Sequence, residues 1–394
     1  MFDLLESAKR LHAAYRGRPG QRVPIMTPIG WSPAANIDRD RPRDWRGEDG
    51  FVRVARLVRE HCDVLPPYNA VPLPRVWAPL SYQRFGEAPM EFVEELPVED
   101  RGAGRTRHAT VLHTPRGDLR WVYDEDEGIF TTWDIEKPIK TPADVEKMLS
   151  VPVRFDRPAA DEFEPFRRWR AQMGEWCIGG GSVNSMVAML CGMMDFQLLL
   201  EWVLTEPTLV KLLADAWLER VGPRVDCLLA EGVGPFWHFN GVERASPPMM
   251  GPRQWEQWVV PYDGEIMRRI KAADAEARIH VHCHGRVGTL LDSFIAMGAD
   301  SIDPVEPPPQ GDIEFADAKA RSAGRLTLYG NIEFVDMVTL SPDAIEAKVR
   351  STILDGGRAH TVLFPSAGPH ERPSPRYLAN VERYIQAGLK YGAA

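Results

Sequence analysis

The stretch RIHVHCHG, residues 278–285, is a short run of apolar and imidazole side chains that stops at a glycine and precedes a helix-patterned segment, 287–297. In an extended chain, alternate side chains face opposite ways, so His280, His282 and His284 share one face while Val281 and Cys283 share the other. An apolar face suited to packing on helices, backed by a polar face, is what a strand of a closed parallel barrel needs. Seven more short runs that end in Gly, Pro, Asn or His lie at 23–28, 63–67, 176–180, 235–240, 301–305, 326–329 and 361–365. Helix-patterned stretches alternate with them at 253–272, 312–320, 341–354 (closed by Gly356 and Gly357) and 374–391. Eight such units predict an α/β chain folded as a (β/α)8 TIM barrel, with 1–394 as one domain.

One segment breaks the alternation. HATVLHTPRGDLRWVYDE, residues 108–125, alternates about a turn at Pro115 to Asp118, which predicts a β-hairpin inserted between the second and third barrel strands, within 101–140. The chain is 394 residues long and 44% hydrophobic, enough for one large core. Its 47 basic residues are scattered among 56 acidic ones, for a net charge of -9, which argues against nucleic-acid or anionic-membrane partners. The N-terminal MFDLLESAKRLHAAYRG reads as an amphipathic helix with no cleavage-site pattern, and the expected location is cytoplasmic. Five scattered cysteines without a CxxC pair indicate neither a disulfide framework nor a four-cysteine zinc knuckle.

Three of the ten histidines fall on one face of 280–284, and barrel active sites form at the strand C-termini, which places His282 and His284 nearest the mouth. Two neutral imidazoles within reach of one point suit zinc, which in catalytic sites takes three protein ligands and keeps one position open. The same face equally suits histidines that only hydrogen-bond within a polar core, and both readings stand at this stage. Asn240 and Glu243 follow the fourth run, with Glu243 either a third ligand, a general acid, or the partner of Arg244 or Arg253. Glu306 ends the sixth run ahead of three prolines, as a ligand or as an orienter of the imidazoles. Asn331 follows Gly330 at the end of the seventh, suited to a substrate hydrogen bond or a turn. Trp31, Trp237 and Phe239 are expected to wall an apolar pocket. The run Ile178-Gly-Gly-Gly-Ser182 lacks a Walker lysine and reads as a tight βα turn.

The segments HFNGVERASPPMMGPRQWEQWVVPY (238–262), HVHCHG, MGADSIDPVEPPPQGD (297–312), LTLYGNIEF (326–334) and LFPSAGPHERPSPRYLANVERYI (363–385) together resemble the uroporphyrinogen-decarboxylase-like superfamily. RVPI (22–25) and EKPIKTPADVEKM (136–148) also fit. The resemblance implies a barrel with a deep pocket at the strand C-termini. True decarboxylases of that group carry an arginine-rich segment where this chain reads PIMTPIGWSPAANID (24–38), with no arginine between Arg22 and Arg39, so the resemblance is to the methyltransferase branch. In that branch zinc sits on a His-x-Cys pair and a distal cysteine. Here His282-x-His284 occupies the pair and Ala367 the distal place, so the resemblance leaves His282, His284, Glu306 and His370 as the metal-ligand set. It implies an O-demethylating methyltransferase that passes a methyl group from a small O-methylated, methoxyaromatic donor to the Co(I) of a corrinoid (cobalamin) on a separate protein, with metal or acid activation of the leaving oxygen. Its catalytic candidates are His282, His284, Glu243, Asn240 and Asn331, and a homodimer is implied as well. Asp63 falls roughly at a catalytic aspartate region of the decarboxylases. Two other classes stay open: a cofactor-independent decarboxylase or lyase for a small carboxylic acid, which needs a cation at the pocket, and a non-catalytic small-molecule-binding barrel.

Overall fold

The structure is a computed structural model, described over residues 4–29, 44–63, 90–129, 131–155 and 157–393. Its strands are β1 (Val93–Glu95), β2 (Glu99–Gly102), β3 (Arg105–Thr114), β4 (Gly117–Asp126), β5 (Thr132–Glu136), β6 (Ser182–Asn184), β7 (Phe236–Asn240), β8 (Arg278–His282), β9 (Ser301–Asp303), β10 (Thr327–Ile332) and β11 (Thr361–Pro365). The last six pair in parallel in chain order from β6 to β11. Ile25 carries the curve onward by bridging Leu363 in parallel, and Asp63 N then donates to Ile25 O at 2.6 Å. Together with helices between successive strands, these are the eight units of a (β/α)8 TIM barrel. Residues 64–67 of the second predicted run lie outside the described residues.

Burial explains the closure. Trp237, Phe239, Ile279, Val281, Cys283 and Ile302 join the large cluster formed with the surrounding helices. The opposite face fills the barrel. The helix Leu4–Tyr15 presents Ala8, Leu11, Ala14 and Tyr15 to Ile178, Phe236, Tyr329 and Val362, so it plugs the end where the strands begin. Burying Leu11 of that plug contributes about 2 kcal/mol.

The inserted hairpin is observed as β3 and β4, in register from Arg105↔Asp126 to Thr114↔Gly117, and three more strands widen it to a five-stranded antiparallel sheet. Its apolar face, Leu112, Leu119 and Trp121, packs on Val151 and Met148.

Two expectations are corrected. The third barrel strand is Ser182–Asn184 rather than 176–180, and the glycines are no βα turn. The carbonyls of Gly179 and Gly181 accept from Phe236 N and His238 N, and a Cβ on Gly180 would lie 1.2 Å from Phe236 O. The glycines are therefore where two strand backbones approach too closely for a side chain. The predicted helix 253–272 is two helices, Pro252–Trp258 and Asp263–Ala273, broken at 259–262. No described helix is long and apolar enough to cross a membrane.

Candidate active site

Register decides what enters the barrel. His238 pairs with His280, His280 with Ser301, and His282 with Asp303, so imidazoles and acids stack in layers up the interior. In the lowest layer the rings of His238 and His280 stack at 5.1 Å, and His280 Nδ1 lies 2.8 Å from Ser301 Oγ. Tyr15, reaching in from the plug helix, hydrogen-bonds Ser301 at 2.6 Å and Tyr329 at 3.0 Å.

Asp303 joins this layer to the next. One carboxylate oxygen lies 2.8 Å from His280 Nε2 and the other 3.1 Å from His282 Nδ1, with the side chain only 2% exposed. Burial would raise its pKa, but the charges of His282 and His280 hold it well below the usual carboxylate range. For His282 burial acts to lower the pKa, and the charge and hydrogen bond of Asp303, helped by Glu243 and Glu306, overcome this and raise it to about 9. Burial, reinforced by His280, keeps His238 well below 6.5 and neutral.

At the mouth His284 Nδ1 is 2.8 Å from Glu306 Oε1, while Gly285 N donates to Glu306 Oε2 at 2.6 Å. The His282 and His284 rings stand perpendicular, 4.7 Å apart. Each imidazole therefore has Nδ1 held by a carboxylate, an arrangement that also orients metal-binding histidines. Both Glu306 oxygens are engaged, one by His284 and one by Gly285 N. Glu243 follows β7, and its Oε2 is buried without a hydrogen-bond partner among the described residues.

Asn240 shares the inner face with His238 two residues before it, and its Nδ2 donates to Ser182 Oγ at 2.9 Å. Asn331 Oδ1 accepts from Thr352 Oγ1 at 2.8 Å, toward the helix layer. His370 is exposed and lines a cleft of about 360 Å³ with Trp45, Arg46 and Phe51, and no contact between it and the two imidazoles occurs among the described residues. Trp237 and Phe239 are corrected: alternation puts His238 inside, so both aromatic rings face the helices. Trp31 lies outside the described residues. Asp63 is fully buried between Arg10 and Arg22, at 2.8 and 2.6 Å, and also accepts from Ile25 N. It anchors the first strand.

Sequence reading missed His238 and Asp303. Period-two alternation, applied to 280–284, also places His238 between the outward Trp237 and Phe239, and Asp303 two residues after the inward Ser301. His238, His280 and Asp303 offer three buried ligand atoms within 4.8 Å of one another, a triad with metal-binding geometry.

Two expected results follow. In metal-free protein His282 stays protonated well above neutrality, so imidazole ¹⁵N spectra should show one ring doubly protonated at about pH 8 and titrating near 9. The folded pKa lies above 6.5, so its stabilising contribution is complete below 6.5 and is lost as pH rises through about 9. If every imidazole had titrated by pH 7, the coupling to Asp303 would be wrong. Separately, a Cβ on Gly311 would lie 1.8 Å from Glu306 O. Gly311→Ala should displace Glu306 and lower turnover about 10-fold or more, the usual scale for disturbing an orienting partner; unchanged kcat would remove Glu306 from the site.

The family model for uroporphyrinogen decarboxylase (URO-D) matches residues 128–383. A solved structure described as a methyltransferase from Methanosarcina mazei superposes with a TM-score of 0.55 at 15% identity, over 98% of this chain and 99% of that one. A B12-independent methionine synthase from Shewanella sp. W3-18-1, in complex with selenomethionine, superposes with a TM-score of 0.41 at 10% identity, over 76% of each chain. No curated protein matches.

Proposed function

The chain belongs to the uroporphyrinogen decarboxylase family, and from that premise we propose that it is a methyltransferase, moving a methyl group from a small O-methylated donor, such as a methoxyaromatic compound, to the Co(I) of a corrinoid on a separate protein. The observation that carries the reading is the pair His282 and His284 at the mouth, each fixed through Nδ1 by its own carboxylate. Two oriented Nε2 atoms suit the activation of one leaving heteroatom. A relative of the same fold described as a methyltransferase lends support.

Charge argues against the decarboxylase alternative. The cation described at the mouth, the imidazolium of His282, is already paired with the carboxylate of Asp303, with Glu243 and Glu306 adding further negative charge near it, where a carboxylate substrate needs cations free to bind it. Arg10 and Arg22 are spent on Asp63.

A zinc ion at the mouth would be held by His282 and His284, while the three described ligand atoms that lie within 4.8 Å of one another belong to the deeper His238, His280 and Asp303. When bound through nitrogen and oxygen, zinc supplies Lewis acidity toward the donor oxygen. The protein's own residues do the rest: Asp303 and Glu306 fix the imidazole planes, and the barrel wall holds the methyl carbon in line for displacement. A cobalt nucleophile supplies the hard chemistry from its own polypeptide.

Reconstitution tests the proposal. Purified protein, mixed with a reduced corrinoid protein and a panel of methoxylated compounds, should give the methyl-Co(III) absorbance with at least one donor. Release of CO2 from a small acid in corrinoid-free buffer, with no methyl-Co(III) from any donor, would overturn it.

A further inference from the structure

Tyr15 is the last residue of the helix Leu4–Tyr15, at the end of the barrel away from the mouth, and its hydroxyl belongs to a continuous run of buried hydrogen bonds that ends at His282. Tyr15 Oη lies 3.0 Å from Tyr329 Oη and 2.6 Å from Ser301 Oγ, and Ser301 Oγ lies 2.8 Å from His280 Nδ1. His280 Nε2 is 2.8 Å from one oxygen of Asp303, whose other oxygen is 3.1 Å from His282 Nδ1. The direct approach of Tyr15 Oη to His280 Nδ1 is longer, at 3.5 Å. Tyr15, Ser301, Tyr329, His280 and Asp303 are all buried, so their protons must be shared among themselves.

Only one direction of donation satisfies every hydroxyl. A carboxylate only accepts, so His280 Nε2 carries a proton and donates it to Asp303. Donation by Tyr329 to Tyr15, by Tyr15 to Ser301 and by Ser301 to His280 Nδ1 then uses every O–H of the run. The reverse direction would put a second proton on His280, adding a charge to the interior, and would leave the Tyr329 O–H without an acceptor among the described residues. A buried charge and a buried donor without an acceptor are both unfavourable. The tautomer of His280 is therefore set from Tyr15: once the Tyr15 proton lies on Ser301, the Ser301 proton goes to Nδ1, and Nε2–H is left to hold Asp303.

Resting on the methyl-transfer reading for its effect on turnover, we propose that Tyr15 is a positioning residue for the mouth. Through Ser301 it keeps His280 in the Nε2–H form, which fixes Asp303 and with it the plane of His282. The N-terminal helix thus serves the site as well as the core.

Long-range ¹H–¹⁵N spectra of histidine-labelled wild-type protein test the direction of the run, with the His280 signals identified by their loss in His280→Gln. Nε2 is expected to be protonated and Nδ1 bare; a proton on Nδ1 would overturn the proposal. Tyr15→Phe removes one oxygen and frees Ser301 to accept from Nδ1, so the Nδ1–H form should appear in its spectra. The same variant should lower kcat for methyl transfer about 10-fold and leave KM within about twofold. Leu11→Ala loosens the same helix without touching a hydrogen bond, and should lower the unfolding midpoint while the His280 signals and kcat stay as in wild type. A Tyr15→Phe protein with unchanged His280 signals or unchanged kcat, or a Leu11→Ala protein that shifts both as Tyr15→Phe does, would reduce Tyr15 to packing and overturn the proposal. If wild-type protein transfers a methyl group from no donor, the methyl-transfer reading fails, and the spectra still decide whether Tyr15 sets the His280 tautomer.

Discussion

His282→Ala is expected to lower methyl transfer to the Co(I) corrinoid by about 1000-fold or more, with the unfolding midpoint within a few degrees of wild type. The ring is the better anchored of the mouth pair, since Asp303 is buried and also tied to His280. Removing the imidazole deletes an Nε2 that activates the leaving atom, while its partner acid keeps His280 as a neighbour, so the fold survives. Residues that act on one atom are strongly non-additive, so His284→Ala should cost a similar factor and the double variant little more. Single-turnover kinetics on the three variants measures this. Strictly multiplicative losses would mean that the two rings serve different atoms.

Asp303→Asn should cost about 3 kcal/mol of stability, because it leaves the imidazolium of His282 in the barrel without its counter-charge. It should also lower turnover by about 10- to 100-fold through loss of ring orientation. Urea unfolding of both proteins across pH gives a sharper reading. The wild-type advantage depends on a charged His282, so the gap should be full below 6.5 and narrow as pH rises through about 9. A gap independent of pH would assign the loss to packing alone.

The architecture was legible because each barrel strand is a short apolar run punctuated by Gly, Pro or His, and because the helices after β10 and β11 begin at Ser341 and Ser374, whose side chains accept cap hydrogen bonds. The third strand was misread because glycine signals a turn as often as a close backbone approach, and only the position of Phe236 O distinguishes the two. His282 and His284 stood out by spacing within one strand. Asp303 did not, because its importance comes from register with His282 on the neighbouring strand and from burial, neither of which a single run encodes. Trp237 and Phe239 misled for a related reason: aromatic character suggests a pocket wall, but alternation fixes their direction outward. His370 is a loop residue whose placement depends on the fold around Trp45 and Phe51.

The central claim is that His282 and His284 converge on one ligand atom, and a crystal structure of the protein with a bound methoxyaromatic compound, in the absence of corrinoid, tests it most directly. The account predicts the ether oxygen within about 3.5 Å of an Nε2 of the pair, or on a single metal ion held by both. An ether oxygen seated in the cleft beside Trp45 and His370, with the two rings touching no ligand, would contradict it.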